Sequence, residues 1–166
     1  MATTEKGCQA TAAVTAAAAA ILATAYTAQF GFDLFPCQLC YVQRAPYFLI
    51  VVFGALALLP AVDSRSRRIV LFHLVALLLL ETVLASYHVG VEWHWWVGPT
   101  TCTGPGAPTS ISDLTAALSK PAPPSCDTPA FVFAGLSMAG WNAVAALILA
   151  GAALAAALRK PWWHTA

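Results

Sequence analysis

The chain has 166 residues, of which 60% are hydrophobic and only 9% are charged, and its mean hydropathy is +0.73. Soluble domains carry about 25% charged residues, so the composition excludes an ordinary globular domain. The formal net charge is +1, and the chain has no basic stripe that would follow a phosphate backbone. Nucleic acid is therefore not an expected partner.

Four stretches that are poor in charge have helical length and are apolar enough to enter a bilayer, whose core needs about 20 residues per span. They cover residues of about 10–32, 45–60, 69–89 and 136–158. Lipid permits only helices or closed barrels. We therefore predict an all-α membrane protein, a four-transmembrane-helix bundle that forms a single domain over residues 1–166.

The distribution of Lys and Arg predicts the orientation of this bundle. With both termini in the cytoplasm, six of the eight basic residues lie inside, and only Arg44 and Lys120 lie outside. The outside then holds two loops, at about 33–43 and 90–135. In an alternative, the first span is a signal peptide that is cleaved near Ala25, but apolar character continues to Phe32 and favours an uncleaved span.

The second outside loop is rich in proline and glycine, and it opens with three tryptophans at 93–96 that suit a membrane–water interface. Within it, Ser110 and Asp113 have the spacing of a capping box. Apolar residues follow at helical spacing: Ile111, Leu114 and Leu118. This pattern predicts a short amphipathic helix that lies on the membrane.

The five cysteines carry the most informative signal: Cys8, Cys37, Cys40, Cys102 and Cys126. The orientation, which was derived from basic residues alone, places four of them outside and Cys8 inside. An even number of cysteines in an oxidising compartment is what disulfide pairing requires. Four cysteines allow three pairings, and these spacings leave all three open.

Cys37 and Cys40 form a C-x-x-C motif at the mouth of a predicted helix. Amide donors and the helix dipole lower thiol pKa values there, so such a pair is typically active in disulfide exchange. Cys102 and Cys126 would close a longer loop, for which loop-closure entropy predicts about 3–4 kcal/mol of stabilisation. The simplest interpretation of that second pair alone is a structural bridge.

Arg44 departs from the positive-inside pattern. If the second helix begins near Leu39, Arg44 lies one turn after Cys40 on the same face, where it would stabilise a thiolate or bind a carbonyl or anionic ligand. If Pro46 instead marks the first helical turn, the C-x-x-C lies in the entering loop and this interaction weakens. Snorkelling of Arg44 to the interface is the simpler alternative.

Together these features resemble the DsbB family, the bacterial inner-membrane disulfide bond formation proteins. The resemblance covers residues of about 10–158 in span count, orientation and cysteine order. Its motifs are PCQLCYVQR at 36–44, YHVGVEWHWWVGP at 87–99 before Cys102, and Cys126-Asp127 followed by GLSMAGWNA at 135–143.

The resemblance implies a quinone-dependent protein-disulfide oxidoreductase whose redox cysteines face the periplasm, a compartment that DsbA, DsbB and quinone keep oxidising. A reduced, DsbA-like periplasmic thiol oxidase would attack the Cys102–Cys126 disulfide at Cys102. Electrons would then pass, by exchange between Cys126 and Cys37, to the Cys37–Cys40 pair. This relay would drive disulfide formation in exported proteins.

The resemblance also implies residues for the cofactor, which would be ubiquinone or menaquinone. The Cys40 thiolate would reduce the quinone, and Arg44 would orient it. His88, at the outer end of the third span, is the best match to a further histidine on the quinone side. No metal site is expected.

Other interpretations remain open. The four outside cysteines could form a closed zinc site without catalysis, or their disulfides could only brace the loops of a structural or transport protein. A paralogue that serves a different soluble thiol partner is the nearest alternative. Glu81 is either a functional acid or a hydrogen-bonded acid between helices, and Asn142 is expected to make an interhelical hydrogen bond.

Overall fold

Four long helices make up most of the structure, a computed structural model that describes residues 2–99, 110–112 and 124–163. They are α1 (Ala2–Gly31), α2 (Gln38–Ala57), α3 (Ser64–Glu92) and α4 (Met138–Leu158). Each helix is long and apolar enough to cross a membrane. The predicted four-transmembrane-helix fold is confirmed.

The structure decides where α2 begins, which sequence reasoning had left open. The helix begins at Gln38 rather than near residue 45, and Pro46 lies inside it. Cys37 is the N-cap residue, and its sulfur accepts a hydrogen bond from the Cys40 N–H at 3.4 Å. The C-x-x-C motif therefore spans the first turn of α2 rather than the loop before it.

The helix α3 also extends past its predicted bounds of about 69–89, and it does so at both ends. At its start, the Asp63 carboxylate accepts from the backbone N–H groups of Arg65 and Ser66, at 3.0 and 3.3 Å. This is the capping interaction that satisfies exposed N–H groups at a helix start. The apolar pattern marks only the part of the helix in hydrocarbon, so it underestimates the whole.

The helix α4 packs most extensively against α3, and α2 lies between α1 and α3. Small residues allow this close approach, and six alanines of α4 are buried: Ala139, Ala146, Ala150, Ala153, Ala156 and Ala157. Large apolar side chains such as Leu147 and Ile148 are exposed on the outer surface. That distribution is expected for a bundle whose surface faces lipid.

Two arginines hold helix ends together at one end of the bundle. The Arg67 guanidinium donates to the carbonyl oxygens of Ala57 and Val62, at 2.9 and 3.0 Å. Arg68 donates to the carbonyl of Ala157 at 2.8 Å. Cations satisfy and stabilise the unpaired carbonyls of helix C-termini. Arg67 and Arg68 thus lie at the end of the bundle opposite the C-x-x-C. The orientation of the bundle in the membrane stays a prediction.

A short hairpin, which the sequence analysis did not predict, precedes α4. Strand β1 (Val132–Phe133) pairs antiparallel with β2 (Leu136–Ser137). The turn residues Ala134 and Gly135 have positive φ angles of 50° and 81°, as a type I′ hairpin turn requires. Strands of two residues are too short to show an alternating pattern.

The hairpin connects α3 to α4 through Ser137. This hydroxyl donates to the Glu92 carboxylate and accepts from the Gly140 N–H at 3.1 Å, so it caps α4 while it contacts α3. Of the amphipathic helix predicted at 110–120, residues 111 and 112 are helical. Residues 113–120 and Cys102 lie outside the described residues, and that helix stays a prediction.

Gly54 marks the closest approach of α1 and α2. A Cβ atom at Gly54 would lie 2.0 Å from Thr15 Oγ1 and 3.1 Å from Thr15 Cβ. We expect Gly54→Ala to lower the free energy of unfolding by about 1–3 kcal/mol, the usual cost of overpacking. Thermal unfolding of the purified protein in detergent would measure it.

Gly151 of α4 provides the matched control, because a Cβ atom there meets nothing within 4 Å. Gly151→Ala should leave the unfolding temperature unchanged or slightly raise it. A Gly54→Ala/Thr15→Ala double variant should recover much of the loss. Equal effects of the two glycine substitutions would contradict the close approach.

Candidate redox site

The two cysteines of the C-x-x-C motif lie side by side at the start of α2. Their sulfur atoms are 3.0 Å apart, so a small rotation brings them to the disulfide bond length of about 2.05 Å. Cys37 is buried, whereas Cys40 is half-buried. The pair therefore has the geometry to alternate between dithiol and disulfide.

The two thiols differ in their electrostatic surroundings. A hydrogen bond with Cys40, together with burial, raises the pKa of the Cys37 thiol to about 12. Cys37, which lies just before the span, therefore keeps its proton at neutral pH. Cys40 is half-buried and lies one turn before the Arg44 cation, so the two sulfurs have unequal surroundings.

Arg44 is buried, and its guanidinium is held by an amide and two aromatic rings. It donates to Gln29 Oε1 at 2.6 Å. Its central carbon lies 4.7 Å from the ring centroid of Tyr26 and 5.1 Å from that of Tyr41. Simple snorkelling, which would leave the guanidinium in water, does not describe this arrangement.

An aromatic surface continues from Arg44 toward lipid. Tyr26 stacks on Phe30 at a centroid distance of 6.0 Å and meets the edge of Phe48 at 6.3 Å. Phe30 and Phe48 are both exposed on the outside of the bundle. A buried cation beside an aromatic surface that is open to lipid suits a flat, lipid-soluble ring with carbonyl oxygens, so these residues fit a quinone head group.

Cys126 packs against the C-x-x-C pair. It is buried in one cluster with Cys37, Leu39 and Val91, and Cys40 packs against this cluster. The structure thus brings together three of the four predicted redox cysteines. Cys102 lies outside the described residues, so its place relative to them stays a prediction.

His88 contacts Cys37 from the C-terminal end of α3. Its Nε2 atom lies 3.6 Å from Cys37 Sγ and 3.9 Å from Glu92 Oε1, while Gln43 Nε2 lies 2.8 Å from Nδ1. The ring is buried, at 3% exposure. Both nitrogens therefore face protein groups, and the assignment of His88 to the quinone side stays a prediction.

The same residues could also hold a metal ion. The ligand atoms of Cys37, Cys40 and His88 all lie within 4.8 Å of one another. Three ligands with an open fourth position resemble a catalytic rather than a structural zinc site. Among the described residues Cys126 is not part of this group, so the group differs from the four-cysteine site considered from the sequence.

A chain of buried polar side chains leads from His88 into the bundle. Asn142 donates to Gln43 Oε1 at 2.8 Å and to Glu81 Oε1 at 2.6 Å, and it accepts from the Tyr47 hydroxyl at 2.7 Å. The interhelical role expected for Asn142 is confirmed, and Glu81 is the hydrogen-bonded acid between helices. Sequence reasoning missed Gln43 and Tyr47, although a polar glutamine within an apolar span is itself a signal.

Comparison with known proteins agrees with this site. The family model of the disulfide bond formation protein DsbB matches residues 8–156. The chain is also 27% identical over 125 residues to the "Uncharacterized protein RP370" of Rickettsia prowazekii (strain Madrid E), a match that covers 73% of this chain and 70% of the relative. No solved structure matches significantly. The chain therefore belongs to the DsbB family and is a multi-pass membrane oxidoreductase of disulfide bond formation.

Proposed function

We propose that this protein reoxidises a DsbA-like thiol oxidase in the bacterial periplasm and passes the electrons to a quinone of the inner membrane. The observation that carries the proposal is the packing of Cys126 against the C-x-x-C pair, with Arg44 one turn further along α2. Disulfide exchange from Cys126 to the C-x-x-C pair would therefore end beside Arg44 and the aromatic surface that is open to lipid.

The first exchange is a thiol–disulfide reaction between two proteins. The dithiol of the partner attacks the Cys102–Cys126 disulfide at Cys102, and Cys126 leaves as a thiolate. The partner's second thiol then attacks the mixed disulfide, so the partner leaves oxidised and Cys102 is released reduced. This step takes two electrons from the partner, and the reduced thiols of Cys102 and Cys126 hold them.

The second exchange occurs within the chain. The Cys126 thiolate attacks Cys37 Sγ, the Cys37–Cys40 bond breaks, and Cys40 leaves as a thiolate. Cys102 then attacks Cys126 in the mixed disulfide, so the Cys102–Cys126 bond re-forms and Cys37 leaves reduced. Low thiol pKa favours a leaving group, and the Arg44 cation interacts favourably with charge on Cys40. Cys37 and Cys126 belong to one buried cluster, which supports Cys37 as the sulfur that is attacked.

The residues that would hold the quinone are Arg44 and the aromatic surface of Tyr26, Phe30 and Phe48. When bound, the quinone supplies a two-electron acceptor that also takes up two protons. Arg44 supplies hydrogen-bond donors for a carbonyl oxygen and orients the ring next to Cys40. A flat dione ring is common to ubiquinone and menaquinone, and these contacts suit both.

The function itself is tested by anaerobic oxidation of a reduced DsbA-like protein in quinone-free lipid vesicles. We expect turnover only when quinone is added, because Arg44 and Cys40 face a lipid-soluble acceptor. Cys8→Ser, a change near the other end of α1, should leave this turnover unchanged. Turnover without quinone would refute the proposed acceptor, and bound metal with unreactive thiols would favour the metal-binding alternative.

Exchange between Cys126 and Cys37 is tested with a Cys40→Ser/Cys102→Ser variant. The two remaining outer cysteines pack in one cluster, so we expect mild oxidation to join them in an intramolecular disulfide. Peptide mass spectrometry after alkylation would identify the bond. The matched control is Cys37→Ser/Cys102→Ser, which should form a Cys40–Cys126 bond more slowly, and an equal rate in both would argue against Cys37 as the exchange partner.

The role of Arg44 is tested by Arg44→Gln in the same assay. The loss of charged hydrogen bonds, at about 1.5–3 kcal/mol, should raise KM for quinone about 10- to 150-fold while KM for the thiol partner changes little. Arg159 is the control, because its guanidinium also lies over an aromatic ring, 5.0 Å from the Trp162 centroid, but near the other end of the bundle. Equal effects of Arg159→Gln and Arg44→Gln would contradict the assignment.

A further inference from the structure

The buried polar chain connects Glu81, near the middle of α3, to Cys37 at the outer end of the bundle. It passes from Glu81 to Asn142 on α4, then to Gln43 on α2, and returns to His88 on α3. These three hydrogen bonds have donor–acceptor distances of 2.6–2.8 Å, within the range of well-formed hydrogen bonds. The last contact joins His88 Nε2 to Cys37 Sγ at 3.6 Å.

Most members of this chain can reverse their hydrogen-bonding direction. A tyrosine hydroxyl donates or accepts, an amide offers either its oxygen or its nitrogen, and a neutral imidazole carries its hydrogen on either nitrogen. A carboxylate only accepts. Among the described residues that make up this series of hydrogen bonds, Glu81 therefore fixes the direction of the bonds.

The carboxyl keeps this role as a carboxylate, and also as an acid whose proton is on Oε2. Glu81 is fully buried, and its Oε2 atom has no hydrogen-bond partner among the described residues. A proton on Oε2 leaves Oε1 free to accept from Asn142. In both of these forms Oε1 accepts from Asn142, and this acceptor sets the direction of the hydrogen bonds.

The orientation of each amide group then fixes the orientation of the next amide group. Because Asn142 turns its NH2 group toward Glu81, the same group donates to Gln43 Oε1. Gln43 must therefore turn its own NH2 group toward His88 Nδ1, so Nδ1 accepts. The hydrogen of the neutral imidazole is then on Nε2, which faces Cys37.

We propose that Glu81 is a positioning residue that acts through Asn142 and Gln43 to hold His88 as the Nε2–H tautomer against the Cys37 sulfur. The tautomer follows from the hydrogen bonds alone, whereas its use in catalysis rests on the proposed function. An N–H donor at Cys37 stabilises negative charge on this sulfur whenever a bond to it breaks.

The same tautomer disfavours a metal at the reduced site. Zinc binds a histidine nitrogen through its lone pair, and the Nε2 atom that lies near Cys37 and Cys40 carries a hydrogen instead. Ligation through Nε2 would require both amides to rotate against the Glu81 acceptor. The hydrogen-bonded series therefore disfavours metal binding and leaves the C-x-x-C pair available for disulfide exchange. It does so although the ligand atoms of Cys37, Cys40 and His88 are close enough to hold an ion.

Glu92 is the other acid that faces His88. Its Oε1 atom is 3.9 Å from Nε2, beyond hydrogen-bond length, while its Oε2 atom accepts from the Ser137 hydroxyl. Gln43 at 2.8 Å is the stronger determinant of the tautomer. A Glu92→Gln variant separates the two effects, since it should leave the tautomer unchanged.

The test is ¹⁵N NMR of the reduced, full-length protein labelled at histidine in lipid nanodiscs, with His88 signals assigned in a variant that lacks the other three histidines. Nitrogen shifts distinguish the two tautomers directly. We expect Nε2–H in the wild type, where the Glu81 carboxyl accepts from Asn142. Glu81→Leu should give a mixture with substantial Nδ1–H.

Gln43→Glu is the second variant, because it tests the chain without altering the middle of the bundle. It places an acceptor-only group against Nδ1 and should therefore move the hydrogen to Nδ1. The Nε2 lone pair of His88 is then free, so the affinity of the reduced protein for Co²⁺ should rise at least tenfold. The thiolate-to-cobalt absorption band would measure this affinity. Tyr47→Phe, which removes no acceptor that the chain needs, is the control for both readouts.

Nδ1–H in the wild type would overturn the proposal, as would an unchanged tautomer in folded Gln43→Glu protein. These outcomes do not depend on quinone turnover. A protein that fails the quinone assay but shows the expected tautomers would refute the proposed function alone, whereas the reverse result would refute only the role of Glu81.

Discussion

Asn142 makes the hydrogen bonds on which the arrangement of this bundle depends. Hydrocarbon offers no water to satisfy buried polar groups, so each must find a partner within the protein. The Asn142 amide meets Tyr47 and Gln43 of α2 and Glu81 of α3. Three helices are thereby held in one register, and the relative positions of Cys37, Gln43 and His88 follow from it.

The first two turns of α2 give the two cysteines of the C-x-x-C different surroundings. Its N-cap cysteine is buried and keeps its proton, because a hydrogen bond and burial raise the pKa of Cys37 to about 12. Cys40 lies one turn before Arg44, whose cation is held between aromatic rings. One sulfur is thus buried in the protein and the other lies near a cation, an asymmetry that the proposed electron transfer through a disulfide would use.

The two ends of the bundle use polar residues in different ways. At one end, Arg67 and Arg68 donate to carbonyls at the ends of α2 and α4, so their charges stabilise helix termini. At the other end, Ser137 and Glu92 join the hairpin to α3, and Cys126 is buried against Cys37. The cysteine chemistry is therefore confined to an end where a loop packs down on the helices.

The sequence by itself determined the four spans, the C-x-x-C with an arginine four residues after its second cysteine, and the resemblance to the family, because these depend on local composition and spacing. It left open whether the C-x-x-C lies in the first turn of α2 or in the loop before it. It predicted that Asn142 would bond between helices, but not to which residues. Only the tertiary structure decided that Cys126 packs on Cys37, that His88 meets Gln43 and Cys37, and that Glu81 is connected to them. Those contacts join residues from different helices, and the packing of the helices, which no local pattern specifies, brings them together.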